Sequence, residues 1–262
     1  MSCRHSAFSS LRLRRHVAPV VAMLFWLPPG AAQSSGSAGP GPRVEARTLY
    51  VAATGQSPRH LVFTPTAYSA DEDRRWPLIV GLHGTAGNPE QIMGFQRLLE
   101  LAERYGYLVV SPHSSGVGEL HRRYVRRVIA DTEEHYRVDP GRVFLLGISR
   151  GGRGLWDLAI EDPDRWAGLA PISPVTPSDP KPLERLRHLP MIVVLGDRDK
   201  AISQSAVRRW VKRMADLDMR HRFVELPGLG HDLSRVNFLP LVFDFFERSA
   251  QLSSERKGRG AH

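Results

Sequence analysis

The chain has 262 residues, of which 42% are hydrophobic and 24% are charged. This length can bury a full core in one domain, and the composition excludes an intrinsically disordered protein. The net charge is +9, but four of the arginines lie in the first 32 residues. The sequence shows no basic face combined with base-stacking aromatic residues, so we do not expect binding to nucleic acid.

Residues 1–32 have the pattern of a secretory signal peptide. Arginines precede an apolar run at 17–27, and small residues at 30–32 permit cleavage before Gln33. An uncleaved anchor is the alternative, but the apolar run is short for a membrane span of about 20 residues. We expect export, to the periplasm or the medium, without stable membrane insertion after cleavage. Cys3, the only cysteine, lies in this segment, so the mature chain would have no disulfide.

The next residues predict a flexible lead-in and then the edge of a sheet. Residues 33–43 are rich in Ser, Gly and Pro. Short strands are predicted at 48–52 and 60–64, on either side of a turn cluster at 54–58. We expect these two strands to form an antiparallel pair.

From residue 76 onward, buried strands alternate with amphipathic helices. The alternation predicts the α/β class, with a mostly parallel sheet covered by helices on both faces and a single catalytic domain at 44–250. A basic, flexible tail is expected at 251–262. The predicted strands are 76–82, 107–111, 143–146, 166–172, 191–195 and 222–226; the predicted helices are 89–105, 119–136, 152–160, 202–217 and 236–246.

A G-x-S-x-G pattern follows the strand at 143–146. Ser149 stands between Gly147 and Gly151, behind a buried strand and ahead of a helix. This arrangement forces the serine into a sharp turn with its hydroxyl exposed above the sheet. Serine is a weak nucleophile at its own pKa, so the pattern requires a base, an acid that orients the base, and an oxyanion hole.

An acid and a base follow in the required order. Asp197 and Asp199 come directly after the strand at 191–195, and His231 lies in a Gly-rich loop after the strand at 222–226. The carboxyl ends of parallel strands share one rim, where ligands bind in open α/β sheets. We therefore predict Ser149 as nucleophile, His231 as base and Asp199 as its partner, with Asp197 as the competing acid that more plausibly closes a local turn.

The loop after the strand at 76–82 is small and flexible enough to form an oxyanion hole. The predicted N–H donors are Thr85 and Arg150, the residue after the nucleophile, with Ala86 second to Thr85. Gly84, Ala86 and His83 are predicted to line the substrate site. His83 is expected to brace the loop by hydrogen bonding.

These four elements together resemble the α/β-hydrolase superfamily. The matching residues are Leu82-His83-Gly84, Gly147 to Gly152, Gly196 to Asp199 and Gly230-His231. The stretch after the serine is similar to the branch of phospholipases and carboxylesterases, which includes exported enzymes like polyhydroxybutyrate depolymerases and feruloyl esterases. The resemblance implies a serine esterase with no cofactor. Arg150 departs from the pattern, because smaller or apolar side chains are commoner after the nucleophile.

The segment at 173–189 is too short for a helical cap domain, so we expect an open site. Small acyl esters or esters borne on a polymer fit such a site better than long triglycerides. The alternatives are a peptidase or an acyltransferase with the same triad, or a non-catalytic binding protein on this fold. No metal is expected, because His113, His121 and His135 lack the spacing of metal ligands.

Overall fold

Eight strands form one sheet in the computed structural model, which describes residues 41–52 and 55–259 and the side chains as far as residue 251. The strands are β1 Arg43–Thr48, β2 Arg59–Thr64, β3 Trp76–Leu82, β4 Leu108–Pro112, β5 Val138–Ile148, β6 Gly168–Ile172, β7 Met191–Gly196 and β8 His221–Leu226. The helices are α1 Pro89–Met93, α2 Leu98–Tyr105, α3 Glu119–His135, α4 Arg150–Glu161, α5 Gln204–Asp216 and α6 Leu239–Arg259.

The sheet is mostly parallel. Its order is β1-β2-β4-β3-β5-β6-β7-β8. β2 pairs antiparallel with β1 and with β4, and every pairing from β4 to β8 is parallel. This confirms the predicted fold class and the antiparallel pair at one edge.

Successive residues of the central strands supply two hydrophobic layers, one on each face of the sheet. In β5, Val143 and Leu145 belong to the first layer, whereas Phe144 and Leu146 belong to the second. The first layer also contains apolar residues of α3, α4 and α5, and the second contains those of α1, α2 and α6. Because successive side chains of a strand point to opposite faces, neighbouring residues of one strand pack against different sets of helices.

Four of the parallel strands end at one rim of the sheet. β3 and β5 pair in parallel up to Leu82 and Gly147, and β7 and β8 pair in parallel up to Gly196 and Leu226. The loops after these strands carry the predicted oxyanion segment, Ser149, Asp199 and His231. Parallel topology thus brings together residues that lie far apart in the sequence.

Two predictions near the start of the domain were wrong in their bounds. The first strand is Arg43–Thr48 rather than 48–52, because it is an exposed edge strand in which burial gives little alternation. The predicted helix at 89–105 is broken after Met93, and Gln96 and Arg97 have left-handed φ angles of 43° and 63°. Gly94 precedes this break, as an interruption of a helical pattern by glycine would suggest.

The last helix also differs from its prediction of 236–246. It begins at Leu239 and continues to Arg259, into the range 251–262 that was predicted to be a flexible tail. Residues 250–257 contain neither Gly nor Pro, so nothing in their composition stops the helix. The predicted signal peptide, 1–32, and most of the lead-in, 33–43, lie outside the described residues. Among the residues that are described, no helix is both long and apolar enough to cross a bilayer.

Candidate active site

Ser149 occupies a strained turn between β5 and α4. Its φ of 55° and ψ of −116° lie outside the regions that non-glycine residues usually adopt. Such positions cost about 1–3 kcal/mol and persist where the surrounding structure holds them. Here the Ser149 N–H donates to the Ile172 carbonyl at 3.0 Å, and the Ser149 carbonyl accepts from the N–H of Gly152 and of Val175, each at 2.9 Å. The turn is thereby fixed against β6 and the segment that follows it.

The glycines beside Ser149 are required by close backbone approach. A Cβ on Gly147 would stand 2.4 Å from the Gly151 carbonyl oxygen. A Cβ on Gly151 would stand 2.2 Å from the Leu82 carbonyl oxygen at the end of β3. The pattern of glycines in the sequence thus reflects the packing of α4 against β3 and β5.

The structure brings Ser149, His231 and Asp199 into one hydrogen-bonded series. His231 Nε2 is 3.1 Å from Ser149 Oγ, and His231 Nδ1 is 2.8 Å from Asp199 Oδ2. With Nδ1 donating to the carboxylate, Nε2 of a neutral imidazole is the acceptor that faces the serine hydroxyl. This is the geometry in which a histidine can take the proton of a serine.

Asp199 is buried, and its carboxylate is held from several sides. Its Oδ1 accepts from the N–H groups of Ala201, at 2.8 Å, and Ile202, at 3.1 Å. Burial opposes ionisation, but the hydrogen bonds from His231 and from these two amides outweigh it and lower the pKa of Asp199. Asp199 is therefore a carboxylate at neutral pH. The competing acid, Asp197, instead accepts from the Gly228 N–H at 2.7 Å and closes a turn between two loops.

His83 braces the loop after β3. It is buried, and its Nδ1 is 2.9 Å from the Gly84 carbonyl oxygen. Burial lowers the pKa of His83, so the ring is neutral at neutral pH and donates from Nδ1 to that carbonyl. The Gly87 N–H donates back to the same carbonyl at 3.2 Å, which completes the turn.

The predicted oxyanion and substrate residues take different positions around Ser149. Gly84 lies so close that a Cβ on it would stand 3.4 Å from Ser149 Cβ. Thr85 faces the cavity above the serine, and Arg150 is the first residue of α4, where backbone N–H groups have no partner within the helix. Ala86 was predicted to line the site, but it is exposed and does not belong to the cavity lining; it has a left-handed φ of 53° in the bend from Gly84 to Gly87.

A cavity of about 720 Å³ lies over Ser149 and His231. Its lining combines apolar side chains with a few polar ones, as is usual for small-molecule sites. The lining residues are His83, Gly84, Thr85, Gln91, Ile92, Gly94, Phe95, Gln96, Ile148, Ser149, Val175, Ala201, Ile202, His231, Asp232 and Ser234.

No protein-family model matches the chain, but comparison with known proteins finds two curated relatives over part of its length. NocK of Nocardia uniformis subsp. tsuyamanensis, which is named as an esterase, is 29% identical over 170 residues, covering 59% of this chain and 48% of NocK. The bifunctional acetylxylan esterase/xylanase XynS20E of Neocallimastix patriciarum is 26% identical over 147 residues, covering 53% of this chain and 22% of XynS20E. The chain thus spans less than half the length of these curated relatives.

A solved ferulic acid esterase superposes on the chain with a TM-score of 0.69 at 16% sequence identity, covering 80% of this chain and 99% of that one. The chain has the α/β-hydrolase fold. Within this fold, the segment between β6 and β7 usually holds any cap, and here the described residues form only a short 3₁₀ helix, Lys181–Leu186, among irregular backbone. The Pro177 carbonyl accepts from Trp210 Nε1 at 2.9 Å, which holds this segment against α5. The described part of the chain thus forms no large cap between β6 and β7.

Several cavity residues of this α/β-hydrolase fold were not predicted. Gln91, Phe95 and Gln96 come from the broken helix segment, and Val175 and Ser234 come from irregular loops. Only Gly94 signalled a break near the first three, and no pattern indicated that they would face Ser149. Within the described ranges, no group of three or more His, Cys, Asp or Glu side chains is arranged to hold a metal ion.

Proposed function

We propose that this chain is a serine carboxylic-ester hydrolase that acts through Ser149, His231 and Asp199. The observation that carries the proposal is the hydrogen-bonded series from Ser149 Oγ through His231 to Asp199, at the floor of an open cavity. The esterase names of the two curated relatives support the same chemistry.

In the first half of the reaction, Ser149 Oγ attacks the ester carbonyl carbon while His231 Nε2 accepts the hydroxyl proton. Asp199 holds the imidazole by Nδ1 and stabilises the imidazolium that forms. The bond between the carbonyl carbon and the leaving oxygen then breaks, and His231 returns the proton to the departing alcohol. In the second half, a water molecule attacks the acyl-enzyme with His231 again as base, which releases the acid and restores Ser149.

The negative charge on the carbonyl oxygen needs donors that are already in place. The backbone N–H groups of Arg150 and Thr85 are our candidates, because Arg150 directly follows Ser149 at the start of α4 and Thr85 lines the cavity. Hydrogen bonds placed in advance stabilise the tetrahedral intermediate without reorganisation of solvent. His83 acts indirectly, by fixing the loop that carries Thr85.

The substrate class follows from the open cavity. A site without a large cap suits short acyl groups, or ester groups presented on a polymer, better than long triglycerides. The name of the acetylxylan esterase relative supports a short acyl group. A peptidase or an acyltransferase could use the same residues, so matched ester and amide substrates should be compared side by side.

The testing experiment is hydrolysis of p-nitrophenyl esters from acetate to palmitate by the wild type and by Ser149→Ala. We expect turnover to peak at short chains and to fall by about a million-fold in the variant. A wild type that hydrolyses no ester of any length, or a Ser149→Ala variant that keeps its rate, would overturn the proposal. Activity that rises at an oil–water interface would contradict the preference for short chains.

We also infer that residues 1–32 direct export and are removed. The basic start, the apolar run and the small residues before Gln33 support this inference. Mass spectrometry of the protein recovered from periplasm or medium should find Gln33 at the N-terminus. Recovery of the whole chain from the membrane fraction would contradict cleavage.

A further inference from the structure

We propose that Gln96 is a positioning residue for His231. The proposal rests on the function proposed above and adds a residue on the far wall of the cavity to its machinery. Gln96 Nε2 donates to the Leu233 carbonyl at 2.5 Å. Leu233 lies two residues beyond His231 in the same loop, so this bond connects the broken helix segment to the loop that carries the base.

The conformation at Gln96 is unusual for its residue type. Gln96 has φ 43° and ψ 45°, and Arg97 has φ 63° and ψ 27°. Two consecutive non-glycine residues in the left-handed region are strained, and such strain persists only where the surrounding structure holds it. Gln96 lies in the wall of the cavity above Ser149, where its side chain meets the His231 loop, whereas Arg97 lies outside that lining.

Two hydrogen bonds that place His231 lie on the side of Asp199. Asp199 holds His231 Nδ1, and the Arg198 N–H donates to the Leu229 carbonyl, ahead of His231, at 2.8 Å. Beyond His231 the loop has left the sheet, and the side chains at 231, 232 and 234 are exposed. The N–H of Ser234 donates to Asp232 Oδ1 at 2.9 Å, but this bond stays within the loop. The Gln96 amide instead reaches across the cavity from another element, so it restrains where the loop places Nε2 relative to Ser149 Oγ.

Two apolar contacts reinforce the same connection. The Phe95 ring packs edge-on against Phe238, with 6.1 Å between ring centroids. Leu233 is buried in the hydrophobic layer that also contains Leu98, at the start of α2. These contacts bring the two segments together, and the hydrogen bond from Gln96 to the Leu233 carbonyl adds a directional restraint on the loop backbone.

The test compares Gln96→Met, which keeps the volume and removes the donor, with Arg97→Gly, which relieves the neighbouring strain and keeps the Gln96 bond. We expect Gln96→Met to lower kcat on p-nitrophenyl acetate by about 10- to 100-fold, since small misplacements of catalytic groups have effects of this size. KM should stay within about twofold of the wild-type value, because the small substrate does not need the far wall. Arg97→Gly should retain the wild-type kcat.

A second variant guards against misfolding of the first. Gln96→Glu has almost the same shape but places a carboxylate against the Leu233 carbonyl. We expect a loss of kcat at least as large as in Gln96→Met, and a shift of the acid limb of the pH–rate profile to higher pH, because a carboxylate in the cavity favours the imidazolium of His231.

A spectroscopic measurement separates this proposal from the esterase proposal. In protein labelled with ¹⁵N-histidine, the His231 signals are identified by their loss in His231→Gln, and they can be recorded whether or not any ester is cleaved. We expect Gln96→Met to shift or broaden them and Arg97→Gly to leave them unchanged. A folded Gln96→Met with wild-type signals and kcat would overturn the positioning role, as would equal losses in Gln96→Met and Arg97→Gly. An inactive wild type with shifted signals would overturn the esterase proposal alone.

Discussion

Two histidine–aspartate pairs in this chain differ sharply in their surroundings. His231 and Asp199 lie at the rim of the sheet, with 2.8 Å between Nδ1 and Oδ2 and with 38% of the His231 side chain exposed. His60 and Asp131 lie between β2 and α3, with 3.3 Å between Nε2 and Oδ2 and with His60 fully buried. The residue types are the same, but His231 also contacts Ser149 Oγ and borders the cavity.

The two carboxylates also differ in their partners. Asp199 accepts hydrogen bonds from backbone amides and from His231. Asp131 accepts a bidentate pair from the Arg47 guanidinium, at 2.9 and 3.2 Å, and its Oδ1 lies 3.4 Å from His135 Nδ1. The charge of Asp131 is thus committed to Arg47, and the contact with His60 lacks the geometry of a hydrogen bond.

The comparison identifies the surroundings that favour His231 over His60 as the proposed base. Burial lowers the pKa of His60, and the neighbouring Arg47 guanidinium acts in the same direction against the pull of Asp131. His60 therefore stays neutral and supports the packing of β2 against α3. His231 keeps Nε2 open to Ser149, and among the described residues no arginine forms an ion pair with Asp199. Pairing with an aspartate therefore does not distinguish the two histidines; the exposure of His231 and its contact with Ser149 do.

The largest expected difference between the two pairs appears when each histidine is replaced in turn by glutamine. His231→Gln should lower kcat/KM on p-nitrophenyl acetate by about a million-fold, because the serine loses its base. His60→Gln should keep the wild-type kcat in the folded protein. Ester hydrolysis by both variants at equal folded concentration checks this, and comparable losses in the two would contradict the assignment.

Replacing the two aspartates should also affect kcat in one pair and not in the other, with a smaller loss than for the histidines. Asp199→Asn should lower kcat by about 10,000-fold, because an amide leaves the imidazole in the wrong tautomer and does not stabilise the imidazolium. Asp131→Asn should destabilise the fold, since Arg47 loses its charged partner, without changing kcat. Kinetics and urea unfolding of both variants provide the measurement. An active Asp199→Asn would indicate that another carboxylate, such as Asp197, supports His231.

Replacing Arg47 tests the contribution of its ion pair with Asp131 to stability. Arg47→Met should lower the free energy of unfolding by about 2 kcal/mol, the scale of a partly buried hydrogen bond to a charged group. Activity of the folded protein should not change. Urea denaturation measures the difference, and a loss below about 0.5 kcal/mol would mean that the pair behaves like an ordinary surface salt bridge.

The smallest effect is the dependence of stability on pH. Because burial lowers the pKa of His60 in the folded state, the unfolded chain takes up this proton first as the pH falls through about 6.5. The stabilisation is complete above that pH and is lost below it, by up to about 1.4 kcal/mol per pH unit. His83 acts in the same direction, so the difference between wild type and His60→Gln isolates the His60 contribution. Unfolding curves between pH 8 and 5.5 should diverge below pH 6.5; parallel curves would contradict this account.

The sequence was most informative where glycine spacing and strand order constrain the chain. Gly147 and Gly151 are required by backbone approaches that no side chain allows, so the turn at Ser149 could be predicted. Asp199 and His231 follow parallel strands, so their shared rim could be predicted from topology. The alternation of buried strands with amphipathic helices from residue 76 onward made the fold class equally accessible.

The remaining features depend on tertiary contacts that leave no local pattern. Gln96 and Arg97 have no intrinsic preference for left-handed backbone, so the predicted helix through them had no visible stop apart from Gly94. The bounds of β1 follow from pairing with β2 rather than from its own exposed side chains. Ala86 was placed in the cavity because the direction of a turn cannot be inferred from small residues alone.

The most direct test of the central claim is to locate the covalent intermediate. A fluorophosphonate probe reacts with a serine only when a neighbouring base activates it, so the wild type should carry the adduct on the peptide that contains Ser149. His231→Gln should label far more slowly, while His60→Gln should label at the wild-type rate. An ester-hydrolysing wild type with no adduct, or with its adduct on another residue, would contradict the account.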